Sequence, residues 1–133
     1  MDTPQEILIK KALEAMENSY SPYSSFKVGA ALLCSDGTVY TGCNIENASY
    51  GATLCAERVA VGKAVSDGKE EFVAIAICGS GKDHCYPCGI CRQVLAEFCS
   101  PDLKIILPCV DKPTKILELK DLLPFSFDKE SMK

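Results

Sequence analysis

The order of periodic segments in this sequence predicts an α/β fold: a three-layer α/β/α arrangement around a mixed sheet of about five strands. Three observations carry that prediction. Segments with helical spacing alternate with short apolar runs in the order α, β, β, α, β, α, β, β. The run Phe72–Cys78 is apolar without a break, as a central strand covered on both faces would be. Ser35-Asp36-Gly37 is a tight turn between two of the runs, which makes that pair antiparallel.

The elements follow in order. Thr3-Pro4-Gln5-Glu6 opens the first helix, with Thr as N-cap, Pro at the first helical position and Glu placed to reach back to the cap. Ile7, Leu8, Ala12, Leu13, Met16 and Tyr20 recur at helical spacing and predict about five turns, ended by Ser21–Ser25. Phe26–Cys34 and Thr38–Cys43 are the strands of the hairpin. The polar, irregular segment Asn44–Gly51 leads to a helix over Cys55–Ser66, stopped by Asp67-Gly68. After the Phe72–Cys78 strand, the Gly79–Asp83 loop lacks the spacing of a phosphate-binding loop. Cys88–Phe98 is predicted helical with Val94, Leu95 and Phe98 inward. A buried strand over Leu103–Val110, a short one over Lys115–Leu119, a helical turn at Leu119–Leu123 and an apolar tail through Phe127 complete the chain. With no repeats or linkers, 1–133 is expected to form a single domain.

Composition narrows the function classes. A chain of 133 residues can bury a core without staples, and 47% apolar residues with seven prolines and nine glycines argue against disorder. A net charge of −4 advertises no basic surface for nucleic acid. No apolar run approaches the roughly 18 residues of a membrane span. Asp2 and Glu6 with no apolar signal core lead us to expect a cytoplasmic protein. In that compartment nine cysteines point to metal, catalysis or small buried thiols rather than disulfides. Cys34, Cys78 and Cys109, in or beside apolar runs, read as buried hydrophobes.

The chemistry concentrates in two places. Cys55-Ala56-Glu57-Arg58 and Pro87-Cys88-Gly89-Ile90-Cys91-Arg92-Gln93 both open predicted helices. Catalytic zinc takes three protein ligands and leaves a fourth position to water. Cys-x-Glu followed at a distance by Pro-Cys-x-x-Cys is the three-cysteine form of the signature found in zinc-dependent nucleobase deaminases. Helix starts carry unpaired N–H groups and the positive dipole end, which favour the thiolate that zinc binds. Arg58, with Arg92 as a second candidate, is placed to offset the charge of three thiolates by donating to their sulfurs. Glu57, two residues past the first sulfur, sits where a general acid/base belongs.

Nearly the whole chain resembles the small homotetrameric cytidine deaminases. The resemblance is carried by Ser21-Pro22-Tyr23-Ser24, Phe26-Lys27-Val28-Gly29-Ala30-Ala31-Leu32, Gly42-Cys43-Asn44-Ile45-Glu46-Asn47-Ala48, the two cysteine motifs and Leu122-Leu123-Pro124. It implies a cytidine-deaminase-like fold and conversion of cytidine and deoxycytidine to uridine and deoxyuridine, in pyrimidine salvage. It also implies one Zn²⁺ per chain on Cys55, Cys88 and Cys91, with Glu57 shuttling protons. Phe26 and the Ala56 N–H would contact the base, and Asn44 and Glu46 the ribose, with Tyr50 in the same pocket. Active sites would lie at subunit interfaces of a homotetramer, where Phe127 enters a neighbour's pocket. The chain departs from the family's pattern at Leu54, bulky before the first ligand, and at Cys85, an extra thiol beside the metal loop.

Rival readings remain at this point. Cys85 could join an iron–sulfur run, although Leu95 stands where such a run needs its next cysteine four residues after Cys91. Cys85-Tyr86-Pro87-Cys88 also resembles a redox dithiol, and Cys85 as a fourth ligand would close a structural zinc. His84, the one histidine, reads as a solvated loop residue. A deaminase of single-stranded nucleic acid would need a basic groove and stacking aromatics, against a net charge of −4 and no Trp. A deaminase of a nucleoside-like antibiotic such as blasticidin S would keep the same zinc chemistry and is the nearer alternative.

Overall fold

A computed structural model describes residues 2–133. Its main elements are α1 (Pro4–Met16), β1 (Val28–Cys34), β2 (Val39–Cys43), α2 (Ala56–Ser66), β3 (Phe72–Gly79), α3 (Gly89–Phe98), β4 (Lys104–Leu107), β5 (Lys115–Glu118) and α4 (Leu119–Leu122). Successive side chains of a strand point to opposite faces, and β3 uses this to join two layers. Ala74, Ala76 and Cys78 pack with Leu8 and Ala12 of α1. Ile75 and Ile77 pack on the other side with Ala56, Ala60, Val61 and Ala64 of α2 and Leu95 of α3. Both faces of β3 are therefore apolar, as its unbroken sequence run predicts.

The sheet has five strands in the order β2-β1-β3-β4-β5. β1 pairs antiparallel with β2 and β3, β3 pairs parallel with β4, and β4 antiparallel with β5. The predicted three-layer fold with a mixed sheet is the one observed. The predicted capping box also forms: Glu6 N–H donates to Thr3 Oγ1 at 3.2 Å, and Thr3 N–H to the Glu6 carboxylate at 3.1 Å.

Three local expectations are corrected. The first helix stops at Met16 instead of reaching Tyr20. Tyr20 N–H donates to Asn44 O at 3.0 Å and Tyr20 O accepts from Glu46 N–H at 2.8 Å, so this stretch runs extended beside Ile45. The strand predicted over Leu103–Val110 is confined to Lys104–Leu107, because Pro108 has no N–H to offer a ladder. Val110 is 90% exposed as a result. Phe98, expected inward, ends α3 at 41% exposure, while Leu95 is fully buried.

One close approach positions the start of α2. A Cβ at Gly42 of β2 would lie 2.4 Å from Ala56 O and 2.8 Å from Ala60 N, so only glycine lets the helix backbone rest on the strand. Among the described residues no helix is long and apolar enough to cross a membrane.

Candidate metal centre

α2 and α3 lie on the same face of the sheet and begin near one another. Cys55 is the N-cap of α2, Cys88 the N-cap of α3, and Cys91 stands in the first turn of α3. Their three sulfurs lie within 4.8 Å of one another, with Cys55 and Cys88 Sγ 3.6 Å apart. Among the described residues this is the one cluster of cysteine, histidine and acidic side chains arranged to hold a metal ion, and Cys85 stands outside it. Burial pushes the Cys85 thiol up to about 12, so it is an uncharged packing group. The donor set suits zinc: soft sulfur ligands, three in number, partly open to solvent at Cys88.

The electrostatics agree. The Cys55 thiol is drawn down to about 5, first by a hydrogen bond from Cys91 and then by Arg58, against the opposing effect of burial. Cys91 is correspondingly held protonated by its bond to Cys55, and a divalent cation would displace such a shared proton. Arg58 donates to Cys55 Sγ at 3.5 Å and to Thr53 O at 3.1 Å. Arg92 does not share that role. Its guanidinium donates to Pro87 O at 2.8 Å and Leu122 O at 2.9 Å, both backbone carbonyls, because it lies on the side of α3 that carries the tail.

Glu57, one residue into α2 after Ala56, is 4% exposed, and burial pushes its carboxyl up to about 7. A buried acid poised near neutrality can both take and give a proton at physiological pH.

The segment between β2 and α2 is pinned beside this centre. Ile45 and Leu54 exchange two backbone hydrogen bonds of 2.9 Å, which tie the Asn44–Glu46 stretch to the residue before Cys55. Leu54 itself is 42% exposed. Asn44 is buried: its Oδ1 accepts from Val28 N–H at 2.9 Å and from the Ser19 hydroxyl, and its Nδ2 donates to Phe26 O at 2.8 Å. Glu46 Oε1 accepts from Tyr23 N–H at 2.9 Å and Ser24 N–H at 3.1 Å, and Oε2 from the Ser24 hydroxyl at 2.5 Å. The Ser24 hydroxyl, followed by those two N–H groups, holds the Glu46 carboxyl below the usual range, so it is anionic. Ser24 is a participant that spacing alone did not single out.

Glu46 and Tyr50 line an open cleft of about 420 Å³ together with Tyr23, Ser24, Asn47 and Thr53. Tyr50 is 77% exposed and meets the Tyr23 ring edge-on, centroids 6.1 Å apart. Phe26 is half-buried at the end of the α1–β1 loop. Phe127 stands apart on the tail, 64% exposed, with its carbonyl accepting from Gln93 Nε2 at 2.6 Å. His84 bonds to Pro113 O at 2.8 Å, in a loop contact.

Residues 2–107 match the family model described as the cytidine and deoxycytidylate deaminase zinc-binding region. The chain belongs to this family. A cytidine deaminase of Halalkalibacterium halodurans is 49% identical over 128 residues, covering 96% of this chain and 97% of that protein. The crystal structure of a cytidine deaminase from Burkholderia pseudomallei superposes with a TM-score of 0.87 at 46% identity, over 91% of this chain and 97% of the other. That from Mycobacterium tuberculosis gives 0.83 at 44% identity, over 95% and 98%. The deaminase zinc-binding region thus contains both cysteine motifs and the whole segment that lines the cleft.

The metal assignment has a direct check. Elemental analysis should find one zinc per chain, most of it lost in Cys88→Ala and kept in Cys85→Ala. Loss in Cys85→Ala with retention in Cys88→Ala would mean that the ligands are wrongly chosen.

Proposed function

We propose that the chain catalyses hydrolytic deamination of cytidine and deoxycytidine to uridine and deoxyuridine with release of ammonia. The observation that carries the reading is the buried Glu57 carboxyl beside three convergent cysteine sulfurs at two helix starts. The relatives described above are named cytidine deaminases, which supports this substrate class and gives the antibiotic-deaminase alternative no support.

In this reading Cys55, Cys88 and Cys91 hold one zinc, which when bound supplies Lewis acidity for attack of water on the amidine carbon. Glu57 takes a proton from the attacking water, passes one to the ring nitrogen and delivers one to the departing ammonia. Its carboxyl, near 7 through burial, suits repeated transfer in both directions. Cys91 and then Arg58 donate to the Cys55 sulfur and favour its anionic form. The Ala56 N–H, at the first position of α2, has no intrahelical acceptor and is free to donate to the base carbonyl. Phe26 provides a wall for the base.

Asn44 and Glu46 serve the sugar. Each is committed to holding the α1–β1 loop, yet Asn44 keeps a second Nδ2 hydrogen and Glu46 a free lone pair for hydroxyls. Tyr50 lines the cleft beside them. Phe127, exposed in the single chain, reaches a neighbour's pocket in a homotetramer whose active sites lie at subunit interfaces. Light scattering should give four chains, and a stable, active monomer would overturn that assembly.

The decisive assay is incubation with cytidine, following uridine and ammonia before and after zinc removal and restoration. Glu57→Gln should keep fold and zinc while losing about 10²–10⁴-fold or more in turnover, since an amide cannot exchange protons. A variant within about tenfold of wild type would remove Glu57 from proton transfer.

The sugar contacts predict discrimination by substrate. A site built to bond a hydroxyl rejects the analogue lacking it by about 10⁴-fold in favourable cases, because buried polar groups are left unpaired. Free cytosine should therefore be a poor substrate, while cytidine and deoxycytidine, which share the 3′-hydroxyl, are both turned over. Glu46→Ala should narrow the gap between nucleoside and base by harming the nucleoside. Equal specificity constants for cytosine and cytidine in the wild-type enzyme would refute the ribose role.

A further inference from the structure

The end of β3 is unusually crowded around a residue with no side chain. A Cβ on Gly79 would lie 2.9 Å from Phe26 Cζ, 2.9 Å from Cys85 Cβ and 3.1 Å from Cys85 Sγ. The backbone of Gly79 is not left-handed, unlike that of Gly37 and Gly68, so conformation alone would permit alanine there. What excludes a side chain is the space that Phe26 and Cys85 occupy. Val28 pairs with Gly79 across β1 and β3, and strand alternation puts Phe26 on the same side of the sheet as α2, α3 and Cys85.

The main chain around Phe26 is held on every side. Phe26 N–H donates to Ser24 Oγ at 3.0 Å, and its carbonyl accepts from Asn44 Nδ2 at 2.8 Å. One residue on, Lys27 N–H donates to Ser80 Oγ at 2.9 Å while Ser80 N–H donates to Lys27 O at 2.9 Å, which clamps this loop to the residue after Gly79. With the backbone fixed, the ring has only its side-chain torsions left to adjust. Its outer edge lies over Gly79, where an added Cβ would meet Cys85 as well, and a Cβ on Gly81 would be 3.8 Å from Phe26 Cζ. In close-packed surroundings of this kind, one methyl group is felt.

We propose that Gly79 and Cys85 form a seat that sets the depth and tilt of the Phe26 ring, and are positioning residues for the base of the nucleoside. This rests on the reading that Phe26 lies against the base. Neither residue need touch substrate. Gly79 sets how far the ring can retreat toward the sheet, and Cys85 fills the space beside it. A methyl at position 79 pushes the ring outward into the volume meant for the base, whereas loss of the Cys85 sulfur leaves the ring slack.

The test is a pair of double-mutant cycles on the zinc-loaded enzyme with cytidine as substrate. Gly79→Ala should raise KM about tenfold with kcat changed less than about threefold, the pattern of lost binding common to ground and transition states. Cys85→Ala should raise KM by about threefold, with zinc retained. In a Phe26→Ala background both effects should shrink to within about twofold, since residues acting through a shared partner are not additive. Should Gly79→Ala fail to fold, the Cys85 cycle decides alone. KM effects that multiply unchanged in the Phe26→Ala background would overturn the seat. If Phe26→Ala by itself leaves KM unchanged, the contact between Phe26 and the base is what fails, and the seat falls with it.

Discussion

Two helix N-termini aimed at one point are the constraint on which the rest of this structure depends. α2 and α3 each end in N–H groups without intrahelical partners and in the positive pole of a dipole. Bringing two such ends together is favourable only with negative charge between them. A Ser or Asp N-cap would spend its oxygen on its own helix. Cys55 and Cys88 make no side-chain capping bond, so their sulfurs stay free to face each other and Cys91. The same residues thus answer the electrostatic problem of the converging helices and assemble a metal-binding cluster. Arg58 adds a positive group on the far side of Cys55, which favours a thiolate there even before a cation is considered.

That convergence is set up by the sheet. Gly42 lets α2 lie with its backbone against β2, while Ile75, Ile77, Ile105 and Leu107 carry α2 and α3 on one common face. α1 occupies the opposite face, over small residues such as Ala31, Ala74 and Ala76. Cys55, Glu57, Cys88 and Cys91 all belong to α2, α3 and their caps, and the loop after β2, which lines the cleft, runs on into Cys55. Tyr20, Ile45 and Leu54 are linked by main-chain bonds into a three-strand patch outside the main sheet. Asn44 and Glu46 flank Ile45 in this patch, so their positions follow from backbone pairing as much as from side-chain bonds.

Most of the architecture was legible in the sequence because it is local. The Thr3–Glu6 capping box, the turn at Gly37 and the unbroken apolar run of β3 each have a short-range physical cause, and each appears where expected. The split cysteine motif was legible for the same reason, since a helix start fixes the direction of its first side chains. What escaped the sequence was long-range. Helical spacing continued to Tyr20, but hydrogen bonds to a segment 24 and more residues away compete with the last turn and win. Arg92 follows a ligand as Arg58 does, yet its partners are Pro87 and Leu122, and only tertiary packing says so. Asn44 and Glu46 were recognisable as polar loop residues, but no spacing rule shows their bonds to Ser19, Ser24 and Phe26.

The tail is the last part whose placement follows from α3, the helix that carries two of the cluster sulfurs. Arg92 lies beside Cys91 on α3 and bridges two carbonyls: that of Pro87, just before Cys88, and that of Leu122, at the end of α4. Gln93 adds a bond to Phe127 O. One turn of α3 therefore carries two of the cluster sulfurs and also ties down the segment from Leu122 to Phe127. Phe125 and Phe127 remain exposed at 104% and 64%, so these bonds hold the main chain and leave the rings outside the single chain's core. Phe125 also adopts a left-handed backbone with φ of 53°, a conformation disfavoured for a bulky residue. Such a conformation persists only where surrounding contacts fix the chain on both sides. Here the fixing groups are Arg92 and Gln93, so the direction in which the tail leaves the body is dictated by the helix that orients the cysteines.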